Sequence, residues 1–192
     1  MRRRTLVLGG LAAALGAATG GALYVRSREG KPLLKIGGPF ALMDVDGKVV
    51  TDRDLLGKPT LIYFGFTYCP EICPTTLTDI GQWLERLGPK ADRLNVVFIT
   101  VDPERDTAPQ LKRYLSNFDP RIRGLTGSPE AVAATAKAYR IYYSKVPLEG
   151  GEYTVDHSTA VYLFDQRGEF VGPIGYGSSP DQAIERLRTV LG

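Results

Sequence analysis

Thr60-Leu61-Ile62-Tyr63-Phe64-Gly65-Phe66-Thr67-Tyr68-Cys69-Pro70-Glu71-Ile72-Cys73-Pro74 runs from an apolar and aromatic segment straight into two cysteines bracketed by prolines. Residues 60–66 have the length and composition of a strand buried on both faces. Beyond the cysteines, Leu77, Ile80, Leu84 and Leu87 recur at i, i+3, i+7 and i+10. That spacing draws one apolar stripe along a helix predicted over about residues 75–87. A strand that ends where a helix begins places both thiols at the carboxyl end of a sheet, where open α/β sheets carry their reactive groups. The helix N-terminus adds partial positive charge and free N–H groups, which favour thiolate over thiol. Prolines fit there because no intrahelical N–H bond is lost.

On the N-terminal side, residues 40–43 and Val49-Val50 flank an Asp46-Gly47 turn and predict a short hairpin. Residues 51–56 read as one helical turn. On the C-terminal side, residues 94–101 (LNVVFITV) form a second buried strand, and residues 107–118 and 128–139 are helical. Ser128 serves as N-cap of the latter, with Pro129 at its first position. A tyrosine-rich stretch and a Gly150-Gly151 loop lead to a strand at 159–165, a turn at 166–168 and a short return strand at 169–171. Ser179-Pro180 opens a last helix running to about Leu191. The order is hairpin, strand, helix, strand, helix, helix, strand, strand, helix. It predicts an α/β fold with a central mixed sheet flanked by helices, the pattern of a thioredoxin-like domain. No repeat and no second globular domain is visible.

Residues 1–30 hold five of the 24 basic residues and one of the 21 acidic ones, which leaves 19 basic against 20 acidic residues in the remainder. The body therefore has no polyanion-binding signature, and nucleic acid is not an expected partner. Residues 6–25 are uncharged, preceded by Arg2, Arg3 and Arg4 and followed by Arg26 and Arg28. Twenty helical residues span roughly 30 Å of hydrocarbon. The expectation is one N-terminal transmembrane helix within residues 1–30, preceding the thioredoxin-like domain at 31–192. The arginine cluster stays on the cytoplasmic side and the domain faces the periplasm of a bacterial-type inner membrane. The run is rich in glycine and alanine and also resembles a twin-arginine export signal that is cleaved; the uncleaved anchor is preferred. No cysteine lies near it, which excludes a lipid-anchored cysteine.

Only two cysteines occur, and they lie four positions apart. A disulfide staple over so short a loop would remove little chain entropy, so the pair reads as chemistry rather than scaffolding. Three residues separate them, where a common redox dithiol has two. On a helix, positions i and i+4 face the same way, about 5–6 Å apart at Cβ. Two thiolates so placed converge on one soft ion or close into a disulfide. Thiolates select Cu(I) or Zn(II), and structural zinc wants four ligands, so a third donor must come from elsewhere. The single histidine, His157, stands just before the strand at 159–165. In a thioredoxin-like sheet that loop passes beside the cysteines, where related oxidoreductases usually carry a cis-proline. Two thiolates with an imidazole suit copper in both oxidation states. Asp156 is either a carboxylate behind the imidazole or a solvated loop residue, and Glu71 a weak oxygen ligand or a solvated side chain. The Asp102–Asp106 loop reads as a helix-capping structure rather than a metal loop. Tyr139, Tyr142 and Tyr143 read equally as packing or as a docking surface.

Cys69-Pro70-Glu71-Ile72-Cys73-Pro74, Val101-Asp102-Pro103-Glu104-Arg105-Asp106-Thr107, Leu125-Thr126-Gly127, Tyr139-Arg140-Ile141-Tyr142-Tyr143 and Asp156-His157-Ser158 together resemble the Sco/SenC family of copper proteins. The resemblance covers the chain from about Gly38 to the C-terminus. It implies a membrane anchor, a thioredoxin fold, and one copper ion per chain, as Cu(I) or Cu(II), held by Cys69, Cys73 and His157. It also implies a metallochaperone for the copper A centre of cytochrome c oxidase subunit II, with other copper chaperones or a thioredoxin-like reductant as further partners. The alternative is a thiol–disulfide oxidoreductase that keeps acceptor cysteines reduced, with Cys69 and Cys73 as a redox-active catalytic dithiol.

Overall fold

The structure is a computed structural model that describes residues 35–192. The expected membrane segment lies outside those residues. Among the described residues, no helix is long and apolar enough to cross a membrane.

Strands β1 (Ala41–Asp44), β2 (Val49–Thr51), β3 (Thr60–Gly65), β4 (Asn95–Thr100), β5 (Ile122–Thr126), β8 (Val161–Phe164) and β9 (Phe170–Ile174) form one sheet in the order β2-β1-β5-β4-β3-β8-β9. Strands β3, β4 and β5 run parallel, with antiparallel strands on both flanks. Helices α1 (Ile72–Leu87), α2 (Ala108–Leu115), α3 (Pro129–Ala138) and α4 (Pro180–Leu191) accompany it. This is the mixed, helix-flanked sheet of a thioredoxin-like domain. Strands β6 (Tyr143–Pro147) and β7 (Tyr153–His157) form a separate two-stranded sheet. β3 is buried at all six positions and β4 at five of six, which accounts for their unbroken apolar sequences.

Two elements depart from the sequence reading. The apolar pattern places no strand between the second and third helices, yet β5 lies there and bridges β1 to β4. Arg123 and Gly124 interrupt its hydrophobicity, and each has a structural cause. Gly124 faces α2 so closely that a Cβ would lie 2.5 Å from Leu115 Cδ1 and 2.9 Å from Leu111 Cγ. Arg123 reaches Asp44 on the neighbouring strand with Nη2 2.6 Å from Oδ2. The second departure is the β6–β7 hairpin, where the sequence reading has a tyrosine-rich connection. Both strands are largely half-buried or exposed, so neither reads as a strong apolar run.

Helix α1 also begins earlier than residue 75. Glu71 is its N-cap, so Cys73 lies in the first turn and Pro74 at the third position, where a proline is tolerated. Cys73 thereby heads the apolar stripe continued by Leu77, Ile80, Leu84 and Leu87, and it is fully buried. Cys69 precedes the helix, so the two cysteines do not share a helical face as the i, i+4 spacing suggests.

Asp44 closes the β1–β2 turn by accepting from the amides of Lys48 (2.9 Å) and Asp46 (3.1 Å). Burial acts to raise its carboxyl pKa, but Arg123 and these amides outweigh it and hold the group below the usual carboxylate range. A lowered folded-state value gives stability above the unfolded value of about 4, lost as pH falls through the folded one. Asp44→Asn is expected to cost about 1 kcal/mol at neutral pH. The gap between the two proteins should close on acidification, as measured by urea unfolding between pH 7 and pH 3.

Candidate metal centre

The three donor atoms meet. The Sγ atoms of Cys69 and Cys73 and a ring nitrogen of His157 all lie within 4.8 Å of one another. Bonds of about 2.0–2.3 Å to an ion place three donors roughly 4 Å apart, which a small contraction of this triangle achieves.

Cys73 Sγ sits where strand β3 leaves room for it. A Cβ on Gly65 would come within 2.7 Å of that sulfur and 2.9 Å of Phe98 Cε2, so only glycine admits the side chain at this height in the sheet. The Tyr63 hydroxyl donates to Cys73 Sγ at 3.5 Å, and burial raises the phenol pKa, which keeps it a donor. Cys69 is half-buried, and its sulfur accepts the Cys73 amide N–H at 3.4 Å, one of the free donors of the first helical turn.

The dithiol is electrostatically asymmetric. Cys69 is lowered to about 4 by its hydrogen bond with the Cys73 side chain, with His157 and the Cys73 and Glu71 amides adding to the effect against partial burial. Cys73 is pushed far above the ordinary thiol range by the same partner and by burial. The pair therefore carries one negative charge, on the sulfur nearer to solvent.

His157 ends β7, paired with Tyr143 on β6. Its Nδ1 lies 2.8 Å from the Ser158 carbonyl oxygen, which can only accept, so Nδ1 carries the proton. Nε2, 3.5 Å from Cys73 Sγ, is then the ring nitrogen that faces the sulfurs. The ring stands edge-on to Phe66, with centroids 5.7 Å apart. The backbone carbonyl thus fills the role weighed for Asp156, which is exposed on the same strand. Glu71 is exposed at the lip of the cleft beside the cysteines. Tyr139 is core, packed among Phe40, Phe64 and Phe164, whereas Tyr142 is 64% exposed beside the cleft.

The Asp102–Asp106 loop is structural, and it reaches the site. Asp106 accepts from the Thr67 amide (3.0 Å), Thr67 Oγ1 (2.6 Å) and Thr100 Oγ1 (2.7 Å), tying the cysteine loop to the end of β4. Thr67, Asp106, Tyr63 and Arg105 are the residues that the sequence reading left out of the site. Their partners lie at separations such as 39 positions for Thr67 and Asp106, and no periodicity links them.

Two thiols and an imidazole converging at the carboxyl end of a thioredoxin-like sheet define a class: a domain that handles soft metal ions or dithiols. Comparison with known proteins narrows it. The SCO1/SenC family model matches residues 28–192. "Protein SCO1 homolog 1, mitochondrial" of Arabidopsis thaliana is 47% identical over 78% of this chain and 45% of its own length. The chain thus spans less than half of that relative. The structure of Bradyrhizobium japonicum ScoI with copper bound is 49% identical, covers 81% of this chain and 99% of its own, and superposes with a TM-score of 0.76. A structure of BsSco, described as having a disulfide switch and as a member of the Sco family of cytochrome c oxidase assembly proteins, is 28% identical. It covers 84% of this chain and 96% of its own, with a TM-score of 0.65. The chain belongs to the SCO1/SenC family.

In the reduced protein, iodoacetamide should modify Cys69 before Cys73, as peptide mass mapping would show. The rate should stay nearly level between pH 5 and 8, whereas an ordinary cysteine would gain several hundredfold, roughly, over that range. A rate that climbs with pH, or first labelling at Cys73, would contradict the charge assignment.

Proposed function

We propose that this chain binds one copper ion through Cys69, Cys73 and His157 and acts as a metallochaperone in cytochrome c oxidase assembly, delivering to the copper A centre of subunit II. The observation that carries the reading is the convergence of the three donor atoms within 4.8 Å. Membership of a family whose solved members include copper-bound forms supports it. The sulfurs suit Cu(I), and the imidazole extends the set to Cu(II). Residues 1–30 are proposed to hold the domain at the periplasmic face of a bacterial-type inner membrane.

The chain's own residues set the order of events. Cys73 must lose its proton when an ion binds, so loading releases about one proton. Tyr63 and the Cys73 amide remain as donors to the two sulfurs. Cys69 lies nearer to solvent, so an acceptor thiolate replaces it first. Cys73, fixed in the core, and His157 hold the ion until the second exchange. A disulfide between Cys69 and Cys73 cannot chelate, so loading requires the reduced pair.

A second reading, a thiol–disulfide oxidoreductase acting on acceptor cysteines, is favoured by the low-lying Cys69 thiolate. Competition of the full, reduced chain with a Cu(I) chelator separates the two. Cys69→Ala, Cys73→Ala and His157→Ala are each expected to weaken Cu(I) retention at least about tenfold. If His157→Ala retains copper as well as the parent, the three-donor site is wrong. If it also keeps most of its dithiol-reductase activity while both cysteine variants lose theirs, the oxidoreductase reading stands in its place.

A further inference from the structure

The β6–β7 hairpin shares no backbone ladder with the seven-stranded sheet, and its last residue, His157, is tied to it along the chain only through residues 158–160 leading into β8. Side-chain contacts therefore help to set where the imidazole lies relative to the cysteines. Arg105 stands at that junction. Its Nε donates to the Asp102 carboxylate, and its Nη1 donates to the Tyr153 backbone carbonyl at 2.8 Å. Its guanidinium carbon lies 3.7 Å from the centroid of the Tyr153 ring and 4.7 Å from that of Tyr68. Phe66, edge-on to the imidazole, is 5.9 Å from the same carbon. The Tyr153 hydroxyl donates back to Asp102 at 2.8 Å, which closes the assembly.

Tyr153 opens β7 and His157 ends it, whereas Phe66 and Tyr68 belong to the loop that carries Cys69. One guanidinium therefore bridges the histidine strand and the cysteine loop. Its Nη2 is buried with no hydrogen-bond partner, so the flanking ring faces meet that part of the charge. The same ring of Tyr153 also lies 4.6 Å from Lys145 Nζ, which pairs with Glu104 at 2.7 Å. Lys145 supports Tyr153 from β6 but does not reach across to the cysteine loop through these contacts.

We propose that Arg105 is a positioning residue that clamps the β6–β7 hairpin onto the cysteine loop and so holds the imidazole within ligand reach of both sulfurs. The clamp rests on the three-donor reading. It acts through Tyr153, Tyr68 and Phe66. A planar fork is required, because face-to-face stacking and two donors in fixed directions are used together; an ammonium at this position brings charge and donors but neither a flat face nor a fixed fork.

A double-mutant cycle on Cu(I) retention in the full, reduced chain tests it, with Arg105→Met, Arg105→Lys, His157→Ala and Arg105→Met/His157→Ala competed against one chelator. Both Arg105 variants are expected to lose about tenfold, the range for residues that orient a ligand from behind. In the His157→Ala background, Arg105→Met should cost less than about twofold, since the group it positions is gone. If Arg105→Met retains copper fully while His157→Ala does not, the clamp is overturned and the three-donor site stands. Equal losses in both backgrounds also overturn it, because the arginine would then act on the sulfurs or the fold at large. If His157→Ala itself loses nothing, it is the three-donor reading that falls. Should Arg105→Met not fold, as circular dichroism would report, Tyr68→Ala replaces it in the cycle. Tyr68 is 55% exposed, and removing its ring takes away one stacking face. A smaller loss that vanishes without His157 supports the clamp, and unchanged retention overturns it.

Discussion

The Cys73 sulfur is enclosed in the core, and the arrangement of the site depends on that burial. The side chain heads the apolar stripe of α1, fits under Gly65 because that residue lacks a Cβ, and receives the Tyr63 hydroxyl. A thiolate so placed would carry a charge in an apolar enclosure, at a cost of several kcal/mol unless compensated. The proton accordingly stays on Cys73 and the charge resides on Cys69, which has amide donors and access to water. One immovable sulfur and one reachable sulfur are the direct result.

The two halves of the site are built by different means. The cysteines are placed by the β3–α1 junction, with Thr67 anchored to Asp106 and β3 laddered to β4 at six residues and to β8 at three. Backbone pairing of that kind tolerates little displacement. The imidazole arrives on a hairpin outside the sheet, and what links the two halves is aromatic stacking and a few polar contacts around Arg105 and Asp102. Several of the side chains that hold the two halves together, Arg105, Asp102 and Tyr153, thus lie far from the cysteines in sequence. A deformation of the site would be taken up at the histidine side first.

The strands and helices with strong internal periodicity were legible in the amino-acid order. Residues 60–66 and 94–101 announce themselves as buried strands, and Leu77, Ile80, Leu84 and Leu87 as a helix face. β5 was hidden because its glycine answers to Leu111 and Leu115 and its arginine to Asp44, requirements set by other elements rather than by the strand. The β6–β7 hairpin was hidden because its burial is only partial, although Tyr153, Val155 and His157 do alternate with more polar neighbours. His157 could be singled out because the chain has one histidine and two cysteines. Tyr63, Thr67, Arg105 and Asp106 could not, since each acts through a partner brought close only by folding.

Both candidate chemistries begin at the same atom. An incoming thiolate or disulfide meets Cys69 first, since Cys73 lies behind it, and up to that point copper transfer and dithiol exchange are indistinguishable. They part at what the site keeps in reserve. Exchange between dithiols needs two sulfurs and a path for one proton, and it has no use for a third donor. Here a third group is supplied: the Ser158 carbonyl accepts from Nδ1, and Nε2 is turned toward the sulfurs. With Nδ1 turned to that carbonyl, Nε2 is the nitrogen left to coordinate an ion once it carries no proton, whereas a ring flipped the other way would turn Nε2 away from the sulfurs. The orientation of one ring, set by a backbone carbonyl, therefore weighs toward metal binding more heavily than the presence of the cysteine pair, which either chemistry would require.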